Sequence, residues 1–166
     1  MTTKTQDTPR LYVGTYAKYN NGSIKGAWLD LDDYADEGEF LEACAELHKD
    51  ESDPEFMFQD FEGFPKSLYS ESGLDSKLWD YIEACNESNQ EIVNALIENG
   101  FELDQEHNVI DKDGANFEAA IGYHFAECIE IPEHISNYFD YEAYGRDISY
   151  EGTYIDLGDT ILEIIN

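Results

Sequence analysis

Cations are scarce in this chain. Nine lysines and arginines stand against 38 aspartates and glutamates in 166 residues, for a formal net charge of −29. Such a chain cannot neutralise a phosphate backbone, so direct nucleic-acid binding is excluded as its mode of action. Cysteine is sparse too: Cys44, Cys85 and Cys128 form an odd, widely spaced set, which excludes a disulfide framework and suits reduced thiols. No apolar run approaches the roughly 18 residues of a membrane span. The opening MTTKTQDTPR lacks the apolar core of a signal peptide. These absences predict a cytoplasmic protein without membrane association. The sequons Asn21-Gly22-Ser23 and Asn86-Glu87-Ser88 then carry no meaning.

Catalytic and metal signatures are missing as well. There is no Gly-rich phosphate loop, no G-x-S-x-G elbow and no H-E-x-x-H, and His48, His107, His124 and His134 are scattered. With 38 carboxylates, a pair placed for acid–base work carries no signal. Aligning Gly114 with the glycine of a calcium loop puts Val109 and Ala120 where carboxylates are needed. Asp30-Leu31-Asp32-Asp33 has no turn glycine. Cys44 and His48, like His124 and Cys128, lie four apart on predicted helices, but tight C-x-x-C spacing is absent. A core thiol beside a half-exposed imidazole is the simpler expectation. The chain therefore reads as a non-enzyme without metal or cofactor.

What is present is a foldable, strongly acidic scaffold. Apolar residues make up 42% and aromatics 14%, with 12 Tyr, 9 Phe and 2 Trp, which argues against a disordered acidic chain. Residues 1–25 hold Lys4, Arg10, Lys18 and Lys25 against Asp7 alone, so the acids concentrate downstream. The densest stretch is Asp30, Asp32, Asp33, Asp36, Glu37, Glu39, Glu42, Glu46, Asp50, Glu51, Asp53, Glu55, Asp60 and Glu62, opposed only by Lys49. Duplex DNA carries about one charge per ~1.7 Å, so 29 charges correspond to about 49 Å of duplex. A compact chain of this length is roughly 40 Å across. The folded chain matches or exceeds the linear charge density of DNA.

Periodicity predicts an α+β chain of three small domains: 10–64, 65–105 and 106–166, after a flexible terminus at 1–9. Leu11–Tyr16 and Ile24–Leu31 read as a hairpin turned at Asn21-Gly22. A helix follows over 37–48, then a strand at 56–61, giving a ββαβ unit. Leu74 to Cys85 and Ile92 to Ile97 mark two helices, the second stopped by Gly100. Residues 111–114 form a turn and 116–130 a helix. Pro132 opens another helix at its first position. The end, 153–156 and 160–165, is a hairpin across Gly158-Asp159. Between these, Tyr138, Tyr141 and Tyr144 recur at three-residue spacing beside Phe139 and Arg146. That run reads either as a core-facing helix or as an interface where Arg146 meets a partner's acid.

On residues alone, two other classes stay open: an acidic binding module for cations or an unrelated basic protein, and a protein acidic for solubility in brine. The latter predicts acids shared with residues 1–25, which are net basic.

Leu11-Tyr12-Val13-Gly14-Thr15-Tyr16, then Lys18-Tyr19-Asn20 and Gly22-Ser23, resembles the opening of the ArdA antirestriction proteins. So does Glu46-Leu47-His48-Lys49-Asp50-Glu51 before Asp53-Pro54-Glu55. Met57-Phe58-Gln59-Asp60-Phe61-Glu62-Gly63-Phe64-Pro65 is similar to another family hallmark. Tyr138-Phe139-Asp140-Tyr141-Glu142-Ala143-Tyr144-Gly145-Arg146-Asp147 looks like the segment that family calls its antirestriction motif. The resemblance is weakest from about 66 to 109. It implies a protein of a mobile genetic element, spread by conjugation or phage, that inhibits type I restriction-modification enzymes as a DNA mimic. It further implies an elongated homodimer joined near Tyr138 to Asp147. The implied partner surface is the Lys- and Arg-lined DNA groove of the specificity subunit and methyltransferase core. The acids from Asp30 to Glu62 would be one contributing surface. Two joined chains would carry the charge of about 100 Å of duplex.

Overall fold

The computed structural model describes residues 7–166. Among them the α+β expectation holds, with seven helices and two three-stranded antiparallel sheets. The chain divides into two compact units after Glu98.

In the first unit, β1 (Arg10–Thr15) lies between β2 (Ala27–Asp30) and β3 (Phe56–Glu62). Strand alternation sends Leu11 and Val13 into the core and leaves Arg10 and Tyr12 half-exposed. Pairing with β3 shifts between Tyr12↔Asp60 and Val13↔Phe58, so Gln59 is the extra residue of a bulge. The antiparallel pair of β1 and β2 forms, but not through a two-residue turn. Thr15 caps a short helix, α1 (Tyr16–Asn20), its hydroxyl oxygen accepting from the Lys18 N–H at 3.2 Å. Tyr16 thereby leaves the strand, and β2 begins only at Ala27. Gly22 does adopt a positive φ of 80°, in the loop after that helix.

Helix α2 (Glu37–Leu47) starts at a reciprocal cap. Asp36 accepts from the Glu39 N–H and Glu39 accepts from the Ala35 N–H, both at 2.9 Å. Its inner face buries Phe40 and Cys44. The Phe40 ring meets those of Tyr34, Phe58 and Trp79 at 5.5, 6.1 and 5.7 Å, which locks the helix to the sheet. Helices α3 (Leu78–Glu87) and α4 (Gln90–Glu98) follow, burying Leu78, Tyr81, Ile82 and Cys85 on one and Val93 and Leu96 on the other. The helix expected from Leu74 begins at Leu78.

The second unit opens with β4 (His107–Asp111), a strand absent from the sequence expectation. Three of its five residues are polar or charged and only Ile110 is buried, so no alternation announces it. Helices α5 (Phe117–Ala126), α6 (Glu133–Ser136) and α7 (Tyr141–Glu151) come next. Helix α5 stops short of the expected residue 130, and Pro132 is the N-cap of α6 rather than its first residue. Strands β5 (Thr153–Asp156) and β6 (Thr160–Ile164) form the expected hairpin, with Gly158 at φ 95°. The sheet order is β4-β6-β5. Ile110, Ala120, Ile121 and Ile161 form the core, flanked by Phe117, Phe125, Ile148 and Tyr154. Helices α5 and α7 touch backbone to backbone: a Cβ on Gly122 would collide with the Tyr141 carbonyl, and one on Gly145 with the Glu118 carbonyl.

Candidate acidic interface

Folding places the charge outside. Thr15 and His48 are the buried polar residues among those described, so no described carboxylate is buried. Of the fourteen acids between Asp30 and Glu62, twelve are exposed; Asp30 and Glu51 are half-buried. Local structure explains their positions. Asp36, Glu37 and Glu39 surround the N-terminus of α2, where the helix dipole favours negative charge. Glu39, Glu42 and Glu46 follow three- and four-residue spacing on the side away from Phe40 and Cys44. Asp60 and Glu62 point outward from β3 by strand alternation. Asp30, Asp32 and Asp33 cluster at a single 3₁₀ turn, Leu31–Asp33.

Three of the cations near this stretch are tied in place. Arg10 Nε donates to Glu62 at 2.8 Å while its guanidinium lies 4.7 Å from the centre of the Trp28 ring. Lys18 contacts Asp50 at 2.8 Å and Glu51 at 3.4 Å, and Lys49 contacts Glu46 at 2.6 Å. The other ten acids of the stretch form no ion pair among the described residues. Negative potential therefore remains on the surface rather than being cancelled locally.

Lys18 also corrects the expectation for His48. The imidazole is buried, not half-exposed: Nδ1 accepts from Lys18 Nζ at 2.7 Å and Nε2–H donates to the Val13 carbonyl at 3.0 Å. Both nitrogens are occupied, tying the C-terminal cap of α2 to α1 through Lys18 and to β1 through Val13. Beside it, burial pushes the Cys44 thiol up to about 12, which makes it inert. On the other predicted pair, His124 is half-buried and Cys128 exposed. Among the described residues no three His, Cys, Asp or Glu converge to hold a metal ion.

Crowding at the 3₁₀ turn works against the ionisation of Asp32. Lost hydration, then the charges of Asp30 and Asp33, hold the Asp32 carboxyl above its ordinary range. A raised native pKa means that ionised Asp32 opposes folding above that value, and that the penalty fades as pH falls through it. Asp32→Asn should therefore melt slightly higher than the parent at pH 7, with the difference vanishing in acid. A lower melting temperature at neutral pH would show that Asp32 holds the turn instead.

Much of the segment from Tyr138 to Asp147 is engaged by its own chain. Asp140 caps α7 by accepting from the Ala143 N–H at 3.0 Å. Tyr141 stacks on Tyr123 at 4.5 Å, and Phe139 packs edge-on against both Tyr141 and Tyr144. Gly145 is buried at the crossing with α5. Arg146, which the interface reading of this run pairs with a partner's acid, is engaged within its own chain by Glu118 at 3.0 Å and Glu142 at 3.3 Å. Glu142 also accepts from Asn116 at 3.0 Å. Tyr138, Asp140, Glu142 and Asp147 face solvent, with Tyr138 86% exposed. The family model described as antirestriction protein (ArdA) matches residues 11–163. The chain belongs to the ArdA antirestriction family. No curated protein matches it.

Membership makes this an antirestriction protein whose action is on restriction enzymes, and the match contains both the acidic stretch and the Tyr138–Asp147 segment. None of the helices is long and apolar enough to cross a membrane among the described residues. The partners of this ArdA chain's motif on α5, namely Glu118, Gly122 and Tyr123, were not singled out from sequence. One signal was legible: a glycine inside a helical pattern points to close packing.

Proposed function

We propose that this ArdA-family chain inhibits type I restriction-modification enzymes without catalysis, as a folded substitute for B-DNA. Its carboxylates would enter the Lys- and Arg-lined groove of the specificity subunit and methyltransferase core. The observation that carries this reading is the exposure of charge: a net −29 with no described carboxylate buried and twelve of the fourteen acids between Asp30 and Glu62 exposed. Spacing supports it. Asp36, Glu37, Glu39, Glu42 and Glu46 span about 15 Å of helix axis. That is about one charge per 4 Å, against about one per 3.4 Å along a single DNA strand. Exposed charge of one sign also steers association, an effect that weakens with added salt. In a cleavage assay on unmodified DNA with a type I enzyme, the protein should block cutting near stoichiometry at low salt and progressively less as salt rises. Undiminished cutting at saturating protein would refute the reading.

The chain is further proposed to act as a homodimer joined near its motif. Tyr138 and Ile135, 86% and 44% exposed, are the apolar groups available there, whereas Tyr141 and Tyr144 are engaged by their own chain. Tyr138→Ser should shift sedimentation toward monomer with little change in melting temperature. A dimer that persists would move the interface elsewhere.

A further inference from the structure

Strand β4 is an edge strand: β6 covers one side, and no strand of the described residues covers the other. The Glu106 carbonyl accepts from the Ile165 N–H at 2.9 Å, and the Lys112 N–H donates to the Asp159 carbonyl at 3.0 Å. With Asn108 opposite Glu163 and Ile110 opposite Ile161, the even-numbered residues direct their backbone groups at β6. The N–H and C=O groups of His107, Val109 and Asp111 face the other way. Beside them, between β4 and α5, runs a groove of about 340 Å³. Val109 and Tyr123 line it and stay 49% and 52% exposed, although both are large and apolar. Asp111, Asp113 and Glu127 are exposed at its margin. Lys112, the cation in its wall, is turned to Asp156 at 2.6 Å.

We propose that this groove takes up an extended cationic peptide segment as an added strand on β4. A row of unpaired backbone groups along a strand is matched by another strand, and an adjacent helix supplies side-chain contacts, as in peptide-binding modules that work by strand addition. Strand periodicity then sets the sequence of the partner: apolar residues at every second position to cover Tyr123 on the α5 side, with Lys or Arg between them to meet Asp111 on the opposite face, which Val109 shares. The acid margin argues against a second copy of this chain, whose own β4 would bring the same charges. This contact uses backbone pairing, so it is independent of the DNA-like charge of residues 30–62.

The test uses the full-length protein and a short labelled peptide alternating lysine and valine, followed by fluorescence anisotropy. Val109→Pro removes an outward N–H and spares the bonds to β6. It should weaken binding by about tenfold or more without changing net charge. A second arm leaves the protein unaltered and compares two peptides of equal charge, N-methylated on alternate edges. One should lose binding and the other keep it, and this arm decides the matter if the proline variant unfolds. Equal binding by both methylated peptides would reduce the effect to bulk charge attraction and overturn the proposal. So would a Val109→Pro protein that loses its dimer, because a second copy would then be the occupant.

Discussion

Converting Asp32, Asp33, Asp36, Glu37, Glu39 and Glu42 together to their amides should weaken inhibition of a type I enzyme by on the order of 100-fold or more at low salt. Each single change should alter it by no more than about threefold, because a field summed over many charges has no dominant member. The amides preserve shape. Asn at position 36 still caps α2, and Gln at position 39 still completes the reciprocal bond to the preceding turn. Folding should change little, since relief of like charges at the crowded turn offsets the lost attraction of Asp36, Glu37 and Glu39 to the helix dipole. The salt dependence of the remaining binding should also flatten, by up to roughly 0.9 logarithmic units of slope per charge removed. Inhibition by the sixfold variant equal to the parent would remove this surface from the mechanism. Complete loss from any one amide would point to a specific contact in place of a distributed field.

The second large effect concerns the fold beneath the motif. Gly145→Ala should destabilise the second unit by about 3 kcal/mol, because the added methyl meets the Glu118 carbonyl rather than a side chain that can move aside. For a unit of this size that corresponds to a melting temperature lower by roughly 10–20 °C. Gly122→Ala should behave alike, since its methyl meets the Tyr141 carbonyl from the opposing helix. Gly73 has open space where a Cβ would go, so Gly73→Ala serves as the neutral control. Hydrogen exchange of the α5 and α7 amides would localise the change. A Gly145→Ala protein that melts like the parent would mean the two helices are free to separate. Asp140, Tyr141, Gly145 and Arg146 sit where they cap, stack, pack and bridge, so their loss would remove activity by unfolding the segment without touching a partner.

Much of the architecture was legible because strong periodicity and helix signals agreed. Phe40 and Cys44 on one face and three glutamates on the other define α2, and Gly158 marks the last hairpin. The failures have separate causes. Asn21-Gly22 has the composition of a two-residue hairpin turn, yet the Thr15 cap and a helical turn at Tyr16–Asn20 intervene and set a longer connection. Strand β4 has a single buried residue, so its identity comes from pairing with β6 and not from its own pattern. The acids were legible as a class because carboxylates without partners stay in water. The attachment of Arg146 to Glu118 was not, as 28 residues separate the two and only the helix crossing brings them together.

The most direct test of the account is competition between this protein and a labelled DNA duplex for one purified type I methyltransferase core. The account predicts mutually exclusive binding, with duplex fully displaced at low salt and the two ligands losing affinity in parallel as salt rises. A stable ternary complex of enzyme, duplex and protein would contradict it.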